Sequence, residues 1–211
     1  MSGLDSHPRF VSIEGGEGAG KSTVIAGLRA TLQARGERVV CTREPGGTPL
    51  AEMIRGLLLD PAHEPATPET ELLLLFAARS QHVRELIQPA LQSGAWVLCD
   101  RFTDSSYAYQ GAGRAIDAGL IEALERHCVR IEPALTLLLD IDVAAGQARV
   151  AARGEVPDRI ERERDDFFQR VRAGFLQRAA AHPRRFRVLD AGQPAAAVAE
   201  AAVAALLQHI G

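Results

Sequence analysis

The chain holds a single lysine, and its position constrains the fold more than any other feature. Of the 24 basic residues, all are arginine except Lys21. A preference for arginine codons accounts for the arginines but not for the one lysine that was kept. Lys21 lies in Gly15-Gly16-Glu17-Gly18-Ala19-Gly20-Lys21-Ser22, which fits G-x-x-x-x-G-K-[ST] over residues 15–22. An apolar run over 9–14 (RFVSIE) meets the glycines, and Val24, Leu28 and Leu32 then give helical spacing over 21–35. Strand, glycine loop and helix are the setting in which backbone N–H groups converge on phosphate oxygens at a helix N-terminus. In such a loop Gly15, Gly16, Glu17, Gly18, Ala19, Gly20, Lys21, Ser22 and Thr23 surround a nucleoside triphosphate. The lysine bridges the β- and γ-phosphates and the Ser22 hydroxyl ligates Mg²⁺. The dinucleotide fingerprint fails, because its third glycine would fall at Lys21. The guanine-reading Asn-Lys-x-Asp is impossible in a chain whose one lysine is spent in the loop.

Beyond the loop, short apolar runs alternate with helical patterns. Strands are expected over 9–14, 38–42, 95–99, 135–141 and 187–189. Helices are expected over 21–35, 49–59 (with Thr48 as N-cap), 69–91, 117–129, 144–153, 165–181 and 194–210, with Pro89 bending or shortening the third. The alternation predicts an α/β fold, a five-stranded parallel sheet with right-handed crossovers, in one domain over 1–211. The apolar fraction of 46% and net charge of −3 are ordinary, and favour neither nucleic acid as a partner nor a membrane span. The first residues lack the pattern of a secretory signal. Cys41, Cys99 and Cys128 form no metal or disulfide pattern, and His82 and His127 are given no role.

Several arginines fall at or after strand ends, where ligands bind in open α/β sheets. Arg43 follows the second strand and Arg101 the third. Arg79 lies three residues after Phe76, on the same helical face. Two guanidiniums at one sheet edge suit a doubly charged phosphate, and an aromatic beside an arginine suits a stacked base. Together they point to a nucleoside monophosphate as acceptor.

The segments Glu14 to Ser22, Thr42-Arg43-Glu44-Pro45-Gly46-Gly47-Thr48, Phe76-Ala77-Ala78-Arg79, Asp100-Arg101-Phe102, Tyr109-Gln110-Gly111 and Asp158-Arg159-Ile160-Glu161 resemble bacterial thymidylate kinase from Phe10 to the final helix. The resemblance implies a three-layer P-loop nucleoside-monophosphate-kinase fold. It also implies transfer of phosphate from ATP to dTMP with Mg²⁺, in a cytoplasmic homodimer. It implies that Arg43 and Arg101 hold the dTMP phosphate, that Phe76 stacks on thymine, and that Arg79 bonds its O4. Ser106 would approach N3, Tyr109 would crowd the 2′ position of the sugar, and Gln110 belongs with these acceptor-binding residues. Glu17 would reach the 3′-hydroxyl or a water, and Asp100 would orient Mg²⁺ together with Ser22. Arg149 would stack on adenine, with Gln193 opposite.

Some family members carry an arginine within the P-loop. Here Gly18 and Ala19 stand there, so the charge that follows the phosphoryl group must come from a lid over about 153–164, which Arg153, Arg159, Arg162 and Arg164 surround. Arg153 and Arg159 are the two candidates, and the segment Glu155-Val156-Pro157 is one residue longer than the pattern. The other readings are a kinase for a different monophosphate, or a nucleotide-binding regulator with no acceptor.

Overall fold

The computed structural model describes residues 4–152, 154 and 157–211. Five parallel strands form one sheet: β1 (Asp5–Gly15), β2 (Val39–Arg43), β3 (Trp96–Asp100), β4 (Ile131–Asp140) and β5 (Phe186–Asp190), in the order β2-β3-β1-β4-β5. Alternate residues of the central strands enter different cores, which is the period-two signature of a sheet buried on both faces. Val11, Ile13, Trp96, Leu98, Leu137 and Leu139 pack on one side, against α1 (Lys21–Ala34) and the C-terminal helix Ala195–Ile210. Phe10, Val97 and Cys99 pack on the other.

That second layer begins with α2 (Pro49–Leu59) and α3 (Pro68–His82). α3 continues through a wide π-helical turn, Val83–Ile87, into Gln88–Gln92. The shortening expected at Pro89 does not occur, and the helix runs on to Gln92. Proline lacks the N–H that would bond the Glu85 carbonyl, and the chain widens by a residue, with Gln88 N donating to Val83 O, instead of ending. α4 (Thr103–Ser106, running on as Tyr107–Gly113) follows β3 directly. No helix is expected there, because Thr, Asp, Ser and Gly are weak helix formers. Tertiary packing overrides propensity: Gly174 of α7 (Asp165–Ala181) lies so close that a Cβ on it would stand 2.7 Å from that of Ala112. α5 (Ala118–Leu124, widening into Glu125–Val129), α6 (Val143–Ala151) and α8 (Ala195–Ile210) complete the three layers.

β1 and β4 start earlier than their apolar runs suggest. Asp5, Ser6 and His7 pair with Ile131, Glu132 and Pro133 before the register shifts towards Val11. Backbone pairing carries this polar extension, so side-chain patterning does not mark it. The C-terminal ends of β1, β2 and β3 lie side by side, with Ile13 opposite Asp100 and Asp100 opposite Arg43. This edge carries the site.

Candidate active site

β1 ends in Gly15, at φ 140°, and the loop to α1 turns through Gly18 (71°) and Gly20 (88°). Two backbones meet at Gly18. A Cβ there would stand 2.2 Å from the Gly146 carbonyl oxygen on α6, and one on Gly146 would stand 2.5 Å from Glu17 O. Position 18 therefore has no room for a side chain. Ala19 is buried. The Lys21 ammonium donates to Gly15 O (3.4 Å) and Gly16 O (3.2 Å), and burial holds its pKa below the ordinary lysine value. Ser22 and Thr23 open α1 and are exposed.

Arg101 joins this loop to the cavity beside it. Its backbone is left-handed, at φ 67°, which costs about 1–3 kcal/mol for a non-glycine residue. Its Nη1 donates to Gly15 O (2.8 Å) and its Nη2 to Glu17 Oε1 (2.6 Å). Tyr109 OH donates to the same Glu17 oxygen at 2.9 Å, and the Arg101 guanidinium lies 4.9 Å from the Tyr109 ring centre. Burial opposes charge on Arg101, but the surrounding oxygens outweigh it and raise its pKa, so it stays a cation. Beneath it, Glu14 is fully buried and accepts from Phe102 N (2.7 Å) and Ser105 Oγ (2.6 Å). Burial and the nearby Asp104 charge push the Glu14 carboxyl up to about 8.

The cavity is lined by Glu17, Arg55, Arg79, Arg101, Ser106, Tyr109, Gln110 and Arg159 among others, with Leu58, Leu59, Leu75 and Ile160 as its apolar wall. Arg79 is buried and donates to Glu44 Oε2 (2.5 Å), Ser106 Oγ (3.0 Å) and Phe102 O (3.2 Å). His82 and Thr42 extend the network, His82 Nδ1 lying 3.0 Å from Glu44 Oε1 and Nε2 2.7 Å from Thr42 Oγ1. The segment Thr42 to Thr48 thus holds Arg79 in place from behind.

Two expected contacts are arranged differently. Arg43 ends β2 at the right edge, but its side chain is half-exposed on Glu52 (3.1 Å) and does not line the cavity. Arg55, one turn inside α2, lines it instead and donates to Pro45 O (3.0 Å). Phe76 is buried in the core, its ring 4.7 Å from the Arg79 guanidinium, and is not among the lining residues. A strand end fixes where a Cα lies, not which way a long side chain leaves it. The spacing Ala51, Arg55, Leu58 carried the missed signal, an arginine on the apolar face of a helix.

Arg159 donates from Nε to Leu58 O (2.6 Å) and from Nη2 to Glu71 Oε2 (2.7 Å), which places it on the acceptor side. Arg153, Glu155 and Val156 lie outside the described residues. On the far side of the loop, Arg149 donates to Ala191 O (3.0 Å) and Gly18 O (3.4 Å), while the Gln193 amide folds back on Asp190 Oδ2 (2.9 Å). Asp100 Oδ1 is buried without a hydrogen-bond partner among the described residues, and the Asp100 charge acts on Lys21. An orphaned carboxylate oxygen beside a phosphate loop fits a hard divalent cation.

The family model for thymidylate kinase matches residues 13–202. A thymidylate kinase of Alkalilimnicola ehrlichii is 55% identical over 203 residues, covering 96% of this chain and 94% of that protein. One from Chromohalobacter salexigens is 56% identical over 201 residues, 94% of each. The crystal structure of thymidylate kinase from Ehrlichia chaffeensis superposes with a TM-score of 0.76 at 32% identity, covering 96% of this chain and 99% of that one. A phosphate loop sharing Glu17 and Arg101 with an arginine-lined cavity, in a sequence alike along nearly its whole length, has one reading: the chain belongs to the thymidylate kinase family.

Proposed function

We propose that this chain transfers the γ-phosphoryl group of ATP to dTMP, giving ADP and dTDP, with Mg²⁺. The observation that carries the reading is the double attachment of Arg101, to Gly15 O of the phosphate loop and to the Glu17 carboxylate at the cavity wall. One guanidinium then faces donor and acceptor phosphates together. Phosphoryl transfer asks for in-line positioning and for charge where charge develops. The loop amides and Lys21 hold the β- and γ-phosphates, and Arg55, Arg101 and Arg159 give the cavity the cations a monophosphate dianion needs. Glu17 aligns Arg101 and the Tyr109 hydroxyl through one oxygen, which fixes the floor beneath the sugar. Arg79, Ser106 and Gln110 offer the polar groups that read a base edge. When bound, Mg²⁺ adds positive charge against the β- and γ-oxygens, and Asp100 with Ser22 would hold it. Arg149 and Gln193 would border adenine, across the loop from the acceptor.

We further place the enzyme in the cytoplasm as a homodimer. Supporting the dimer, Leu50, Met53 and Leu57 share one face of α2 and are exposed, with exposed Leu73 on the adjoining α3. No helix among the described residues is long and apolar enough to cross a membrane.

Steady-state ADP release with ATP and Mg²⁺ tests the reading, comparing dTMP, dUMP, UMP, dCMP and no acceptor. Turnover should require dTMP, and Arg101→Ala should lower kcat/KM by about 10²–10³-fold. Equal ADP release with no acceptor would overturn it.

A further inference from the structure

Glu71, in the first turn of α3, is a carboxylate the reaction does not call for, yet it is buried and lines the acceptor cavity. Its Oε1 accepts from Gln110 Nε2 at 2.8 Å, and its Oε2 from Arg159 Nη2 at 2.7 Å, with Arg114 Nη2 at 3.4 Å. Burial alone would raise the Glu71 pKa, but these hydrogen bonds and cations outweigh it and keep the group ionised. An ionised carboxylate only accepts, so the carboxamide of Gln110 must present its nitrogen to Glu71. Its oxygen therefore points elsewhere. That oxygen makes no hydrogen bond among the described residues. It is also not one of the two buried, unpartnered side-chain atoms there, Trp96 Nε1 and Asp100 Oδ1, so it opens on the cavity that Gln110 lines.

We propose that Glu71 is a positioning residue for base selection: by holding the nitrogen of Gln110, it fixes that side chain as an acceptor, so the site takes a pyrimidine with a ring N3–H. Thymine and uracil carry that proton. Cytosine and 5-methylcytosine present a lone pair at N3, which meets the fixed carbonyl oxygen without a proton between them. With Arg79 donating at the other polar corner, the cavity offers one acceptor and one donor in an order that cytosine cannot match. A site built to bond a substrate N–H rejects an analogue lacking it strongly, because its own buried group is left unpaired.

The inference rests on the reading of the cavity as a dTMP site, and the two fail separately. The experiment measures kcat/KM for dTMP, dUMP and 5-methyl-dCMP in the wild type, Glu71→Gln, Arg114→Gln and the exchange Glu71→Gln/Gln110→Glu. A wild type inactive on dTMP sinks the site itself. With the site intact, Glu71→Gln frees the Gln110 amide to turn, and the dTMP to 5-methyl-dCMP ratio should fall about tenfold or more. The dTMP to dUMP ratio should hold, since both bases keep N3–H. The exchange restores an acceptor-only group facing the base and should recover the first ratio. Arg114→Gln removes a Glu71 partner without touching the amide, so its ratio should match the wild type. If Glu71→Gln lowers activity on dTMP and 5-methyl-dCMP equally, Glu71 is only a structural anchor and the proposal is overturned. Should Glu71→Gln not fold, Gln110→Leu decides: loss of the carbonyl must lower the same ratio, and an unchanged ratio refutes the idea.

Discussion

Arg101 shows how a single side chain can be committed by its backbone. The left-handed turn after β3 aims the guanidinium back across the sheet edge, where both Nη atoms find oxygens of the loop segment. A lysine keeps the charge but not the fork, so Arg101→Lys should lose nearly as much kcat/KM as the alanine variant, again about 10²–10³-fold in turnover assays. Arg55 and Arg43 make a sharper comparison. Arg55 lines the cavity and Arg43 rests on Glu52 at the surface. Arg55→Ala should raise the KM for dTMP roughly tenfold or more, the worth of a charged hydrogen bond, while Arg43→Ala should change it less than about threefold. A larger effect at Arg43 would mean that its side chain swings into the site. At this scale the sequence was legible where chemistry and backbone coincide, as in Lys21 and Arg101. It was not where rotamers decide, since the Phe76 and Arg79 spacing places both side chains inward but leaves the ring in the core.

Among the elements, α4 bears the most site residues, Ser106, Tyr109 and Gln110, and was the one helix its sequence hid. What steadies it is Asp104, fully buried, which accepts from Arg178 of α7 at 3.0 Å and from both Nη atoms of Arg185 before β5, at 2.5 and 3.0 Å. Arg185 also donates to Thr136 Oγ1 of β4 (2.6 Å), which pairs with Ser12 Oγ of β1. Burial is offset by these cations, and the Asp104 pKa falls below its ordinary value. Asp104→Asn strands two arginines with half a partner, and should cost about 3 kcal/mol, on the order of 10 °C in melting temperature. A loss under about 1 kcal/mol in denaturant titration would show that the cluster is not what holds α4. The α1, α2 and α7 helices were legible from their apolar period, and α2 also from its cap, since Thr48 Oγ1 does accept from Ala51 N. α4 was not, because side chains eighty residues onward decide its conformation.

For the molecule as a whole, the clearest pH dependence comes from Glu14. Its folded-state pKa, about 8, stands above the ordinary 4.5, so the folded chain keeps a proton that the unfolded chain releases. The contribution is complete below about 4.5, declines as pH rises and is gone above about 8, with a slope of at most about 1.4 kcal/mol per pH unit. Melting temperature should therefore fall between pH 5 and 8 by more in the wild type than in Glu14→Gln. Matching slopes would remove Glu14 as the cause. The exposed row on α2 makes a second global prediction: Met53→Glu should shift sedimentation towards a monomer without lowering the melting temperature of the isolated fold by more than about 1 kcal/mol equivalent. The α/β architecture and the strand number could be read from alternation alone.

The backbone contact between Gly18 and Gly146 also bears on how such an enzyme can change over generations. With no clearance at position 18, an arginine cannot enter there by one substitution; α6 would have to withdraw first. A long side chain in the loop therefore asks for two changes together, one at position 18 and one that moves α6. A contact between two glycine backbones thus limits which side chains the phosphate loop can carry.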